Sequence, residues 1–229
     1  MGDILSHGAR PPTPAEANIV LRLQRQATAK YDPSAHAPLL RRLWAAAVVP
    51  SLAGGYGSRF GYDANSEFAL RSDAWKAVGF QNADPGSDVR GGGQLCLELL
   101  VSFAETHQTE AVAEIRRQMP RTLLNFPWAA AGINVSRMLA EGFGMVDAAG
   151  ARGRNTVGRA RRFWHFCATE EAFASLFAVA FALLARTFAV DGSSYLGFNQ
   201  TLARTKGLLF EALGRGPADA AALRELLGL

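Results

Sequence analysis

The chain has 229 residues, 49% apolar and 19% charged, an ordinary globular composition with enough length to bury a core. Its formal charge is +4; three of the 24 basic residues are lysine, leaving 21 arginines, a side chain suited to flat two-pronged contacts with carboxylates and phosphates. Two cysteines, Cys96 and Cys167, lie inside apolar helical patterns and read as buried free thiols in a reducing compartment rather than as a disulfide framework.

Residues 1–12 read as a disordered tail, and the rest, 13–229, as a single domain. The tail has no apolar stretch behind a basic start, so no secretory signal is expected and the protein is expected to be cytoplasmic. Its opening Met-Gly-Asp-Ile-Leu-Ser fits the loose myristoylation pattern, with the acidic residue after the glycine counting against it.

Thr13, Pro14 and Glu16 form the capping signature of a first helix, which Tyr31-Asp32-Pro33 ends. A second helix starts near Ser34, puts Leu39, Leu40, Leu43, Trp44 and Ala47 on one face, and stops at Pro50 and the glycines 54–57. Residues 51–71 read as a long loop with at most one helical turn. Ser72 then caps a short helix carrying Trp75 and Val78, which ends at Gly79.

Residues 93–107 are apolar at 95, 96, 97, 99, 100, 103 and 104, a helix buried on most sides. Thr109 to Met119 forms a more exposed one, broken by Pro120. Phe126-Pro127-Trp128 opens a helix reaching about Gly142, and 144–158 reads as a flexible connection. A helix over 169–188 holds the longest apolar run, Ala172 to Val190, of nearly membrane-spanning length. Arg186 and the lack of flanking anchors favour a central core helix. Two more helices follow, over 194–213 and 217–227. No segment keeps the two-residue period of a half-buried strand, so the fold class is all-α, one domain of eight or nine helices.

The stretch most open to a functional reading is Trp75 to Gly93, WKAVGFQNADPGSDVRGGG. A polar turn with Asp84, Pro85 and Asp88 leads to Arg90, which stands directly before three glycines and an apolar helix. Arg90 reads two ways: as a clamp paired with Asp84 or Asp88, or as a tool presented to a partner. Gly91, Gly92 and Gly93 would let another molecule approach the main chain, or form an anion-binding nest. Asp88 reads most simply as an N-terminal cap of the following helix, Trp75 and Phe80 as core, and Gln81 as either a turn cap or a partner contact. Arg152, Arg154, Arg159, Arg161 and Arg162 cluster in and beyond the connection at 144–158. They read as a solvated connector, a contact for an anionic membrane surface, or a contact for an acidic protein face.

Nine positions in this stretch, Trp75, Gly79, Phe80, Gln81, Pro85, Asp88, Arg90, Gly91 and Gly93, resemble the signature of the ELMO (engulfment and cell motility) domain. The resemblance covers about residues 38–213, including the Leu-rich segment 39–50, the Gly-Ile-Asn segment within 126–139 and Phe198-Asn199. It is strongest to the short ELMO-domain-containing proteins. That resemblance implies a GTPase-activating protein for Arf-family or Arf-like small GTPases in their GTP-bound form, with Arg90 at the position regarded as catalytic. The candidate partner contacts beside it are Gln81, Asp84, Asp88 and Gly91 to Gly93, with Trp75, Gly79, Phe80 and Pro85 as the structural part of the motif. The alternative is a non-catalytic ELMO-type adaptor that holds a small GTPase or a Rac exchange factor in cytoskeletal or membrane-traffic signalling.

Other chemistry finds little support. The four histidines (7, 36, 107 and 165) are scattered, with no metal-ligand spacing and no nucleophile motif, so no metal and no cofactor are expected. No nucleotide-binding loop or nucleic-acid-binding module is recognisable.

Overall fold

The capping chemistry at residue 13 starts the fold. In the computed structural model the Thr13 hydroxyl accepts from the Glu16 amide at 3.3 Å, and the Glu16 carboxylate accepts from the Thr13 amide at 2.7 Å. Helix α1 (Pro14–Thr28) follows. Asp32 repeats the device, its carboxylate accepting from the amides of Ser34 and Ala35 at 2.8 and 3.1 Å, and α2 (Pro33–Leu43) begins. The structure describes residues 12–62, 67–119, 126–154, 156–157, 161–192 and 194–229, with the backbone alone of residues 161, 162 and 195. The expected tail, apart from its last residue, lies outside the described residues, and Gly2 with it.

Past α2 the helix widens. Trp44–Val48 forms a π turn, in which the Val49 amide reaches the Trp44 carbonyl, before α3 (Val49–Leu52). Pro50 explains the change. It has no N–H to give the Ala46 carbonyl four residues back, and that carbonyl accepts instead from the Gln108 side chain at 3.1 Å.

Two short helices, α4 (Ala74–Ala77) and α5 (Gly86–Val89), precede α6 (Gly93–Thr106), α7 (Gln108–Gln118) and α8 (Trp128–Gly142). Then come α9 (Glu170–Val190), α10 (Phe198–Gly214) and α11 (Ala220–Leu226). Among the described residues there is no strand, only one isolated bridge between Val146 and Arg152. Among the described residues eight α-helices are seven residues or longer, and the fold class is all-α.

Helices α6, α8 and α9 form the centre. Helix α6 buries Leu95, Cys96, Leu97, Leu99, Leu100, Val101 and Ala104 while meeting α1, α2 and α8. Helix α9 is long and apolar enough to cross a membrane, yet it packs on α6, α8, α10 and α11 with Phe173, Leu176, Phe177, Ala180, Leu183 and Leu184 buried. Phe181 of α9 stands 5.1 Å from the Phe103 ring and 5.8 Å from Trp128, tying the three helices together by their aromatic side chains. It is a core helix.

The connection expected to be flexible is tied down over its described residues. The Gln24 amide of α1 donates to the carbonyls of Met145 and Gly153 at 3.1 and 2.8 Å and reaches the Thr156 hydroxyl at 2.5 Å. Asp147 accepts from the amides of Ala149 and Ala151. Gln24 is 2% exposed, so these bonds form away from competing water.

Candidate functional site

The polar turn is braced on both sides. On its N-terminal side the Trp75 ring is fully buried, edge-on to Trp44 at 5.0 Å and to Phe80 at 5.5 Å, and its indole N–H donates to the Ala69 carbonyl at 2.9 Å. Gly79 has φ +95°, and a Cβ there would lie 2.8 Å from the Trp128 amide nitrogen, so the start of α8 presses directly on it. The carbonyls of Val78 and Gly79 accept from the Ala129 and Ala130 amides at 3.1 and 3.3 Å. Gln118 completes the joint, accepting from the Trp128 amide at 2.8 Å and donating to the Ala77 carbonyl at 3.3 Å. These bonds satisfy donors that a helix N-terminus otherwise leaves open.

Within the turn both aspartates are engaged by their own loop. Asp88 accepts from the Gln81 amide at 2.6 Å, and Asp84 accepts from the Gly86 amide at 2.8 Å. Asp88 therefore does not cap the following helix, as its place in the sequence suggested. It belongs to α5 and folds back across the loop, while α6 has Gly92 at its cap position and no side-chain cap. Pro85 and Gly86 are buried, and a Cβ on Gly86 would fall 2.3 Å from the Tyr31 ring, so the turn rests on that ring. Tyr31 in turn stacks on His36 at 5.3 Å. Burial, with Asp84 and Asp32 nearby, raises the Tyr31 phenol above its ordinary value.

Arg90 continues the helical backbone of α5 (φ −55°, ψ −31°) and is exposed. Its side chain makes no hydrogen bond or ion pair among the described residues. Gln81, Asp84 and Gly91 are exposed beside it and Asp88 is half-buried. Gly92 and Gly93, expected to face a partner, are buried instead. A Cβ on Gly92 would sit 2.8 Å from the Cys96 side chain, and one on Gly93 (φ +62°) would sit 2.6 Å from the carbonyl oxygens of Gln26 and Ala27. Those two glycines seat the turn against α6 and the end of α1, and Gly91 alone of the three is open to solvent.

The arginine cluster is only partly described. Arg152 and Arg154 are exposed, and Arg152 Nε donates to Gln24 at 3.1 Å. Arg159 and the side chains of Arg161 and Arg162 lie outside the described residues. One further cation borders the turn. Arg137 of α8 has a guanidinium nitrogen 3.6 Å from where a Cβ on Gly91 would be. Its pairing with Glu141 four residues on has the spacing of an ordinary helix-surface ion pair, so nothing in the sequence marked it. Among the described residues no group of three or more His, Cys, Asp and Glu is placed to hold a metal.

Comparison with known proteins agrees with the signature. The family model described as ELMO/CED-12 matches residues 21–202. ELMO domain-containing protein 2 of Homo sapiens is 39% identical over 29% of this chain and 22% of its own length. ELMO domain-containing protein 3 of Mus musculus is 34% identical over 36% of this chain and 20% of its own. ELMO domain-containing protein A of Dictyostelium discoideum is 23% identical over 86% of this chain and 20% of its own. The chain thus spans about a fifth of the length of these relatives. With the model match running across most of its helices, the chain belongs to the ELMO/CED-12 family.

Proposed function

We propose that this protein is a GTPase-activating protein for an Arf-family or Arf-like small GTPase, and that Arg90 is the arginine it lends. The observation that carries the reading is the state of Arg90. It is exposed and makes no ion pair among the described residues, on a turn whose two aspartates instead accept from backbone amides of their own loop. A clamp would have used one of them. Association with small GTPases is the general role that the family resemblance carries, and the Arf-type partner and the catalytic step are this proposal's own.

In the reaction the GTPase holds GTP, magnesium and the attacking water, and the activator shares the charge that builds on the phosphoryl oxygens. An arginine supplied in trans is worth roughly 10³ to 10⁵ in rate, about 4 to 7 kcal/mol of barrier. A guanidinium suits the task because it stays protonated and offers planar donors. Placing it in advance on a rigid base spares the cost of organising it during reaction. The bracing by Trp75, Phe80, Gly79 and Gly93 supplies such a base, and the bare Gly91 leaves room beside it. The cytoplasm and its membrane surfaces belong to the same reading. Exposed Arg152 and Arg154 support peripheral contact with anionic lipid.

The test is single-turnover GTP hydrolysis by a panel of Arf-family GTPases with wild-type protein and Arg90→Lys. Wild type should accelerate at least one member, and Arg90→Lys, which keeps the charge but loses the fork, should lose most of that acceleration. A GTPase that is bound but not accelerated would favour the adaptor reading. An Arg90→Lys variant as active as wild type would remove the arginine from the mechanism.

A further inference from the structure

We infer that Arg137 is a second partner-reading arginine, which receives a carboxylate on the surface of the docked GTPase and fixes its pose relative to Arg90. The inference rests on the GTPase-activating reading above. Arg137 is held in place: Nε donates to Glu141 at 2.9 Å and one terminal nitrogen donates to the Ala148 carbonyl at 3.0 Å. The other terminal nitrogen makes no hydrogen bond among the described residues, and it is the one beside Gly91. Gly91 has neither a left-handed backbone nor a clash to avoid, since an added Cβ would meet only that nitrogen at ordinary contact distance. Folding does not require glycine there. Its bareness leaves the free edge of Arg137 uncovered, next to the residue that would enter the GTPase.

Glu141 does not neutralise this edge alone: it is shared between Arg137 and Lys206, whose ammonium lies 3.7 Å from its second oxygen, so two cations meet one carboxylate there. The ligand follows from how far each arginine can reach. Arg90 is exposed and unheld, able to extend into a nucleotide site. Arg137 is 39% exposed at its side chain and fastened at two points, so it meets only a group brought down onto this surface. A carboxylate on the partner's own face is such a group, whereas a phosphate enclosed by the GTPase is not. Two fastened bonds also mean little further side-chain freedom is lost on contact.

The test titrates the protein against a GTPase that wild type accelerates, reading both the ceiling rate and the concentration giving half of it. Arg137→Gln should raise the half-saturating concentration about tenfold with the ceiling unchanged, the size expected for one lost charge-assisted contact. The difference should shrink at about 0.5 M salt, where exposed charges are screened. Arg137→Lys should recover part of the loss, and Arg137→Met, which keeps the stem but not the charge, serves in place of Arg137→Gln if that variant proves unfolded by thermal melt. Arg137→Glu should be rescued by reversing a single Asp or Glu on the GTPase to Lys. An unchanged half-saturating concentration for Arg137→Gln, or a rise that ignores salt, would overturn the role of Arg137 while leaving Arg90 standing. Wild-type protein that accelerates no GTPase would instead overturn the activator reading, and this inference with it.

Discussion

Replacing Gly93 by alanine tests how the Arg90 turn is seated. The new methyl would meet two costs at once. Gly93 has φ +62°, where an alanine pays roughly 1–2 kcal/mol. Its Cβ would also stand 2.6 Å from the carbonyl oxygens of Gln26 and Ala27 and 2.8 Å from the Ala27 carbonyl carbon. These are backbone atoms of the last turn of α1 and cannot swing aside as a side-chain tip would, so overpacking adds about 1–3 kcal/mol. The sum is about 2–5 kcal/mol, a large part of the roughly 5–15 kcal/mol that holds a typical domain. For a chain of this size each kcal/mol moves the melting midpoint by about 2–4 °C. Gly91→Ala is the control two residues away, with an ordinary backbone and one contact at 3.6 Å, and should fall within about 0.5 kcal/mol of wild type. Urea unfolding of the three proteins, with the slopes checked for equality, reads the difference. Equal midpoints for Gly93→Ala and Gly91→Ala would refute the seating of the turn on α1.

Gln118→Leu removes the partner of both the Trp128 amide and the Ala77 carbonyl, and should cost about 2 kcal/mol or more in urea unfolding; a variant as stable as wild type would remove that joint. Asp88→Ala frees the Gln81 amide and should lower stability by about 1–2 kcal/mol. It should also reduce GTPase stimulation without touching Arg90, and full activity would show that the turn needs no such tie. Burial pushes the Cys96 thiol up to about 12 and raises Cys167 as well, so a thiol reagent at neutral pH should label neither until the protein unfolds. Prompt labelling of two thiols in the native state would contradict their burial.

Local chemistry made much of the fold legible, because caps are written in adjacent residues. Thr13 with Glu16 announces α1, and the helix expected from residue 169 begins where the Thr169 hydroxyl accepts from the Ala172 amide. The signature segment was legible for the same reason, its aromatic anchors and glycines lying within nineteen residues. What could not be read depends on partners far along the chain. Gln24 looks like one polar residue on α1, yet it fastens a loop that begins 121 residues later, where sequence reading expected flexibility. The roles of Gly92 and Gly93 are set by Cys96 and by the end of α1, so a run of three glycines did not reveal that two of them face inward. Asp88 stands where a cap would stand, but the short α5 turns it back toward Gln81. Arg137 carried no signal at all, since its interest comes from lying on α8 beside Gly91, 46 residues earlier in the chain.

Arg90 is proposed to change the rate of hydrolysis rather than the affinity for the partner. The measurement that reaches this role most directly is the single-turnover hydrolysis rate of GTP on a responsive Arf-type GTPase at saturating concentrations of wild-type protein and of Arg90→Ala, with binding of the GTP-loaded partner measured alongside. Arg90→Ala should still bind, while its ceiling rate drops by roughly 10³-fold or more, toward the rate of the GTPase alone. A ceiling equal to wild type with binding intact would contradict that role.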